Sequence, residues 1–582
     1  MEKRVLLAVF LSFLVLYGYQ ALFPSPKPVK KPVAAAPSKP AGPASPAATA
    51  AVGGSPSVTA TPAPAGPVTA PEIGDTTERT VVVETSTIHA TFSNRGAVAT
   101  QWHLKNYKGQ VNGSVDLVPD QPEAQPRPFS VRTDDPSTTS RLNNGLYRVT
   151  VDGRAAGARI EVSAPTRVTF EYREPGGVAA QKTFTFEPNG YVVKYSSATS
   201  NAGRTLNPVL EWGPGLGDST HILGQKSSFG AYVQHSQAIL LADGKVQRLD
   251  AAGVGGAPSH QGTFPFAGID DHYFIATLVE PGLTRVQYKP QAVAIPNTTE
   301  QRELISWSIL FATPPKDVRF FIGPKDFDVL AAVDRTLVKA IHFGIFDFLA
   351  VPLLRALKWI DAYIGNYGWS IIVLTILINF VMFPLRHKSV VSMRKMQELQ
   401  PQIKAIQDRY AKYKATDPER QKMNGELMAL YKEKGANPAT GCVPMLLTMP
   451  VLFAFYSLLS VAIEMRGAPF ALWIRDLSIH DPYYITPLIM AATMFWQQKL
   501  TPVADPAQAK VMMLTPVMFL FFFLWAPSGL VIYWTVSNLL GIGQQKVTNA
   551  IIGPPQVKQV RPPAERKMKN VGASATDAAR KQ

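Results

Sequence analysis

The residues of this 582-residue chain whose types and spacing can do chemistry are neutral polar side chains set inside apolar stretches. Thr375 and Asn379 stand four apart, so a helix carries them on one face, and Trp534 and Asn538 repeat the spacing. Thr448, Ser457 and Ser460, then Thr493, Gln497 and Gln498, then Thr515, sit in three further apolar runs. Such groups transfer no protons at neutral pH; they hold water or one another. Used singly they join helices at modest gain. Their number across several runs points to a wet, uncharged cavity. No aspartate or glutamate lies well inside an apolar run, which disfavours a proton or sodium pump. Glu464 and Arg466 fall at the outer edge of one run, where snorkelling would solvate them.

Catalytic signals are weaker. His89, His103, His221, His235, His260 and His272 do not fall at metal-ligand spacings, and no nucleophile elbow or phosphate loop appears. Asp270-Asp271-His272 is the one tempting cluster, and a solvated turn or strand end explains it more cheaply. A single cysteine excludes a disulfide framework and a thiolate-rich zinc site. The expectation is no enzyme, no cofactor and no metal.

The elements that must position these residues follow from composition. Charged residues make up 17 %, well under the usual quarter, which indicates membrane spans in part of the chain. Residues 5–23 form an apolar run after Lys3 and Arg4, long enough to cross a bilayer. No small-x-small site closes it, so 1–23 reads as an uncleaved signal anchor, with a cleaved signal peptide as the alternative. Residues 24–71 are almost only Pro, Ala, Ser, Thr, Gly and Val, the composition of a disordered tether. From 72 to 340, alternating runs such as Val81, Val83, Ile88, Ala90 and Phe92 are punctuated by turns such as Asn143-Asn144-Gly145, predicting a large β-sandwich. A short helical piece over 327–340 closes it. Residues 341–366, with Trp359 and Tyr363 beside charged positions, predict an amphipathic helix lying on a membrane surface, with a soluble linker helix as the alternative.

Five apolar runs follow, at 369–385, 443–463, 485–500, 512–525 and 530–546; Ala526-Pro527-Ser528-Gly529 makes the last two a helical hairpin. With the anchor this gives six transmembrane helices. Residues 386–434 hold twelve basic and six acidic residues, and the tail 551–582 is again basic. The positive-inside rule then puts both termini and the segment 386–436 in the cytoplasm and the β-domain outside. Arg386 and Lys388 open that segment and supply positive charge at the inner mouth of the spans 367–550. Within it Met396, Leu399, Ile403, Ile406, Tyr410 and Tyr413 recur at three and four, and Asp417-Pro418 starts a second helix on which Met423, Leu427 and Leu430 continue the seam. An antiparallel helical hairpin is expected there. The basic tail suits anionic lipid or ribosomal RNA, with a purely orienting role as the alternative.

Gly365-Asn366-Tyr367-Gly368-Trp369-Ser370, Met382-Phe383-Pro384-Leu385, Leu399-Gln400-Pro401, Gly441-Cys442-Val443-Pro444, Ala468-Pro469-Phe470-Ala471-Leu472-Trp473, Asp481-Pro482-Tyr483-Tyr484 and Pro527-Ser528-Gly529-Leu530 closely resemble the Oxa/Alb/YidC family of membrane protein insertases. Leu104-Lys105-Asn106-Tyr107, His272-Tyr273-Phe274 and Gly323-Pro324-Lys325 extend the likeness into the β-domain. The resemblance implies a five-helix core with a hydrophilic groove open to cytoplasm and lipid, and a periplasmic β-supersandwich of the Gram-negative type. It implies insertion, folding and assembly of nascent inner-membrane proteins, alone or with the Sec translocon; the basic tail and the hairpin add the ribosome as a candidate partner, and no DNA binding is expected. Thr375, Asn379, Thr448, Gln498, Trp534 and Asn538 fall to the groove. The family usually has arginine at the position of Asn379, and its Gram-negative members have a substrate-contacting tyrosine at that of Trp534. Arg386, two helical turns on, is expected to supply part of the missing positive potential; a groove that works without charge is the alternative. A small-solute transporter or channel and a membrane-tethered carbohydrate-active enzyme are the competing classes.

Overall fold

The computed structural model describes residues 71–108, 113–118, 126–175, 177–216, 236–254, 259–294, 301–411, 413, 417–435, 443–500 and 506–552. They lie in one compact unit, Thr69–Gln582. The expected anchor, tether and basic tail lie outside the described residues.

Period-two burial builds the first half. In Thr80–Glu84, Val81 and Val83 are fully buried between exposed or half-buried neighbours, and Ala179–Phe186 buries Ala180, Lys182, Phe184 and Phe186. These strands belong to three sheets. An eleven-stranded sheet has at its centre Thr166–Arg173, Ala179–Phe186, Val192–Asn201 and Val318–Pro324, all antiparallel. One five-stranded sheet carries Val98–Lys108, Ile88–Ser93 and Thr80–Glu84, with Arg159–Glu161 added in parallel. The other is built on the long hairpin Leu283–Ala294 and Gln301–Phe311.

Aromatic side chains show how the layers meet. Phe184 of the large sheet lies 4.9 Å by ring centroid from Phe92 of one small sheet and 4.9 Å from Phe129 beside the other. Both small sheets therefore cover the same face of the large one, a sandwich of one layer against two. Lys182 points into this core, 2 % exposed. Its Nζ donates to Gly96 O and Phe129 O at 2.7 Å each and to Ala97 O at 3.4 Å. One side chain thus pins the large sheet to segments of both small ones.

Ten α-helices are described. Pro136–Asn144 (α1) is capped by Asp135 inside the sandwich region, and Phe327–Val333 (α2) follows the last strand with Asp326 as its N-cap. After a 3₁₀ turn at Leu337–Ala340 comes Asp347–Ile364 (α3), which stops at Gly365, φ +68°. Phe348, Trp359 and Tyr363 of α3 are exposed, while Leu353, Leu354, Leu357 and Ile360 are buried. Tyr367–Glu398 (α4), Gln400–Arg409 (α5), Pro418–Glu433 (α6), Val443–Val461 (α7), Ile485–Leu500 (α8), Pro506–Phe523 (α9) and Ser528–Ile552 (α10) complete the chain. Among the described residues, Tyr367–Met396 is the segment long and apolar enough to cross a membrane, and Met449–Val461 and Met512–Phe523 are shorter apolar helices.

α4 continues past Pro384 and the first basic residues, and its turn at Leu399 leads into α5. Met396, Leu399 and Ile403 bury their side chains against Leu427, Leu430 and Tyr431 of α6. Asp417 caps α6 by accepting from Glu419 N at 3.0 Å, with Pro418 in the first turn. Tyr410 falls beyond the end of α5 and donates to Glu426 Oε1 at 2.9 Å instead of filling the seam. In the remaining bundle α10 packs on both α4 and α8, α8 also packs on α9, and α3 rests on α4 and α7. α9 and α10 meet beside their connecting turn, where Trp534 lies 4.9 Å from Phe523 and 5.2 Å from Phe519.

Candidate functional site

The polar residues of the bundle converge along the contact between α4 and α10. Thr375 is fully buried, and its hydroxyl donates to Ile371 O at 2.6 Å, one turn back. Asn379, 7 % exposed, donates from Nδ2 to Thr375 O at 2.8 Å and to Ser537 Oγ at 3.4 Å. Its Oδ1 accepts from Arg386 Nη1 at 2.7 Å. Helix geometry makes that reach natural. Side chains lean toward the helix N-terminus, and an extended arginine covers the roughly 10 Å of two turns. The guanidinium is thereby carried back from the basic end of α4 into the polar seam. Lys388, two residues on, is exposed.

Farther along the contact, Gln544 Nε2 donates to Phe383 O at 3.1 Å and His387 Nδ1 lies 3.2 Å from the buried Thr548 Oγ1. Phe383 precedes Pro384, whose missing N–H interrupts the ladder of α4. On α10 the residues taking part are Tyr533, Ser537, Gln544 and Thr548, spaced four, seven and four: a single helix face. Tyr533, 4 % exposed, stacks on Phe455 of α7 with ring centroids 4.4 Å apart.

The other expected positions lie elsewhere. Asn538 is one step round α10 and donates to Thr493 Oγ1 at 3.2 Å and Met490 O at 3.4 Å, tying α10 to α8. Trp534 turns toward Phe519 and Phe523 of α9. Gln498 of α8 has its Oε1 buried without a hydrogen-bond partner among the described residues. The side chain of Thr448 is outside the described residues. Thr375, Asn379 and Arg386 are therefore brought together, with Ser537 as the residue that closes the set. Ser537 is four after Tyr533, and that spacing was the available signal; the parallel pair Trp534 and Asn538 marks the adjoining face.

The Asp270-Asp271-His272 cluster proves to be packed rather than solvated. Asp270 is fully buried against Lys325 Nζ at 3.0 Å. Asp271 Oδ1 accepts from Tyr273 N at 2.9 Å and Phe274 N at 2.7 Å. His272 reaches the helical bundle, with Nε2 2.6 Å from Ser460 O. Among the described residues no group of three or more His, Cys, Asp or Glu side chains is arranged to hold a metal ion.

Residues 80–356 match the family described as "YidC periplasmic domain", and residues 359–554 match "60Kd inner membrane protein". The curated "Membrane protein insertase YidC" of Syntrophus aciditrophicus is 35 % identical over 573 residues, covering 94 % of this chain and 99 % of the relative. That of Geobacter metallireducens is 35 % identical over 582 residues, covering 96 % and 100 %, and that of Campylobacter jejuni 31 % over 563 residues, covering 94 % and 96 %. The chain belongs to the YidC membrane protein insertase family. A solved structure titled "Active YidC insertase crystal structure with the first transmembrane domain resolved" covers 82 % of this chain and 94 % of its own, at 20 % identity and a TM-score of 0.35. Set on the family's two parts, the polar seam lies in the inner-membrane part and the sandwich is the periplasmic domain.

Proposed function

We propose that the chain inserts and helps fold proteins of the bacterial inner membrane, using the seam between α4 and α10 as a hydrophilic groove. The observation that carries this is the Asn379–Ser537–Arg386 set: Asn379 bonds both the neutral Ser537 and the cation of Arg386 between two mostly apolar helices. An unsatisfied polar group in hydrocarbon costs several kcal/mol, so a polar path part-way across lowers the barrier for a client's polar flank. The client's apolar segment meanwhile partitions into lipid beside the groove. No bond is made or broken, and the reading calls for no catalytic residue or cofactor. It includes six spans with both termini in the cytoplasm, the hairpin of α5 and α6 on that side, α3 on the outer membrane surface, and the Sec translocon and the ribosome as partners.

The test uses the full chain reconstituted in vesicles with short single-span clients differing only in the charge of the translocated tail. Arg386→Gln should slow insertion of acidic-tailed clients about tenfold, the effect of one buried charge-assisted contact, and neutral-tailed clients much less. Equal slowing of both would sink the role of charge. Normal insertion of such clients in cells depleted of the protein would reject the insertase reading itself.

A further inference from the structure

The stretch Ser460–Arg466, the outer end of α7 and the turn after it, is gripped at three points by groups distant in sequence. Ser460 O belongs to the last turn of α7, where carbonyls lack partners within the helix. His272 Nε2 lies 2.6 Å from it; a carbonyl only accepts, so the ring donates. Glu464, with 6 % of its side chain exposed, accepts from Lys358 Nζ of α3 at 3.1 Å. Arg466 lays its guanidinium over the rings of Tyr273 and Phe274, 5.3 and 4.9 Å from their centroids.

The groups doing the gripping are themselves fixed. Lys358 also meets Asp328 at 2.5 Å and Asp326 at 3.5 Å, so one ammonium holds carboxylates from α2 and from the turn after α7. Asp326 caps α2, accepting from Asp328 N at 2.9 Å and Val329 N at 3.0 Å. The loop that presents His272 is braced by the Asp271 turn and the buried Asp270–Lys325 pair. Arg248, 3.7 Å from Asp270, donates to Ala340 O at 2.6 Å and so ties the linker before α3 to the same brace.

From this joint the contacts run inward without a gap. Phe455 lies on α7 little more than one turn before Ser460 and stacks on Tyr533; Tyr533 is one turn before Ser537, which bonds Asn379. We propose that the β-domain is the frame that fixes the outer end of α7, with His272, Lys358 and Arg466 as positioning residues for the polar groove. This rests on the insertase reading. Releasing the joint lets α7 shift at Phe455, which moves Tyr533 and loosens the seam, while client capture at the inner mouth is untouched.

The experiment follows the full chain in vesicles by hydrogen exchange of residues 458–466 and by insertion of a single-span client. Lys358→Met should speed exchange there about tenfold as the local contacts open. It should cut the insertion rate about fivefold, within the range for residues that couple sites without touching ligand. The client concentration at half-maximal rate stays unchanged, and Lys358→Arg restores both readouts. Adding Glu464→Gln to Lys358→Met should do no further harm, since both act through one contact. Glu464→Gln alone, nearly isosteric, keeps the test open should Lys358→Met fold poorly. Unchanged exchange in these variants overturns the joint, and faster exchange with normal insertion overturns its positioning role. A parent protein that inserts no client fails on the insertase reading instead, and its exchange arm still reports on the joint.

Discussion

Two lysines, one in the heart of the sandwich and one where the sandwich meets the bundle, solve the same problem in opposite ways. Lys182 is buried among three backbone carbonyls from two segments, with no carboxylate among its hydrogen-bond partners. Burial pushes its ammonium down to about 7. Lys358 also loses hydration, which acts to lower its pKa, but the hydrogen bond to Asp328 and the charges of Glu464 and Asp326 together hold it above the usual lysine value. The first lysine joins sheets by hydrogen bonds that do not require charge, in a place that tolerates no movement. The second joins elements by charge, at a site still 24 % open to solvent. A dry core suits a fixed geometric staple; a joint between two differently built parts suits a clasp whose strength is electrostatic.

The comparison breaks most visibly at Lys182. Lys182→Met leaves Gly96 O and Phe129 O buried without their donor, a loss of about 2–4 kcal/mol, and should lower the denaturation midpoint of the sandwich while leaving exchange at 458–466 unchanged. Lys182 gives a second signature. Between pH 7 and the usual lysine value the unfolded chain binds a proton that the folded one does not, so stability rises with pH across that window. Lys182→Met should flatten that rise in unfolding curves.

Lys358→Met should do the reverse: open the joint locally while shifting the global midpoint less than Lys182→Met does, because opening lets water reach Glu464. A comparable midpoint loss in both variants would erase the distinction. Raising salt sharpens the contrast, weakening Lys358 and sparing Lys182.

The smallest effect concerns His272. Burial first, then Lys325 and Arg466, pushes its imidazole down to about 4. Asp270, paired with Lys325, and the adjacent Asp271 and Tyr273 are the other charged or titratable groups beside it. The contribution of His272 to protection at 458–466 is therefore fully present above pH 6.5 and is lost as pH falls from there toward 4, because the opened state takes up a proton that the closed one excludes. His272→Gln, which keeps an N–H donor, should lose less protection over that interval, read as protection factors corrected for the intrinsic pH dependence of amide exchange.

What was legible in the sequence divides by range. The alternation of Val81 and Val83, the Asp417-Pro418 helix start and the three-four seam of Met396, Leu399 and Ile403 are local patterns, and each appears in the structure where those patterns lead. The reach of Arg386 toward Asn379 was legible too, because it needs only helix geometry and side-chain length. The joint was not. Glu464 and Arg466 read as snorkelling residues because hydropathy assigns an edge charge to water; Glu464 instead meets Lys358, 106 residues earlier, and Arg466 the rings at 273 and 274. The partner face of α10 failed for a subtler reason. Trp534 and Asn538 share one stripe and Tyr533 and Ser537 the next, and only packing decides which stripe meets α4.

Asp326 serves two masters, starting α2 and facing Lys358. The same carboxylate that begins the helix thus also faces the clasp, so the start of α2 and the outer end of α7 share one anchoring point through Lys358.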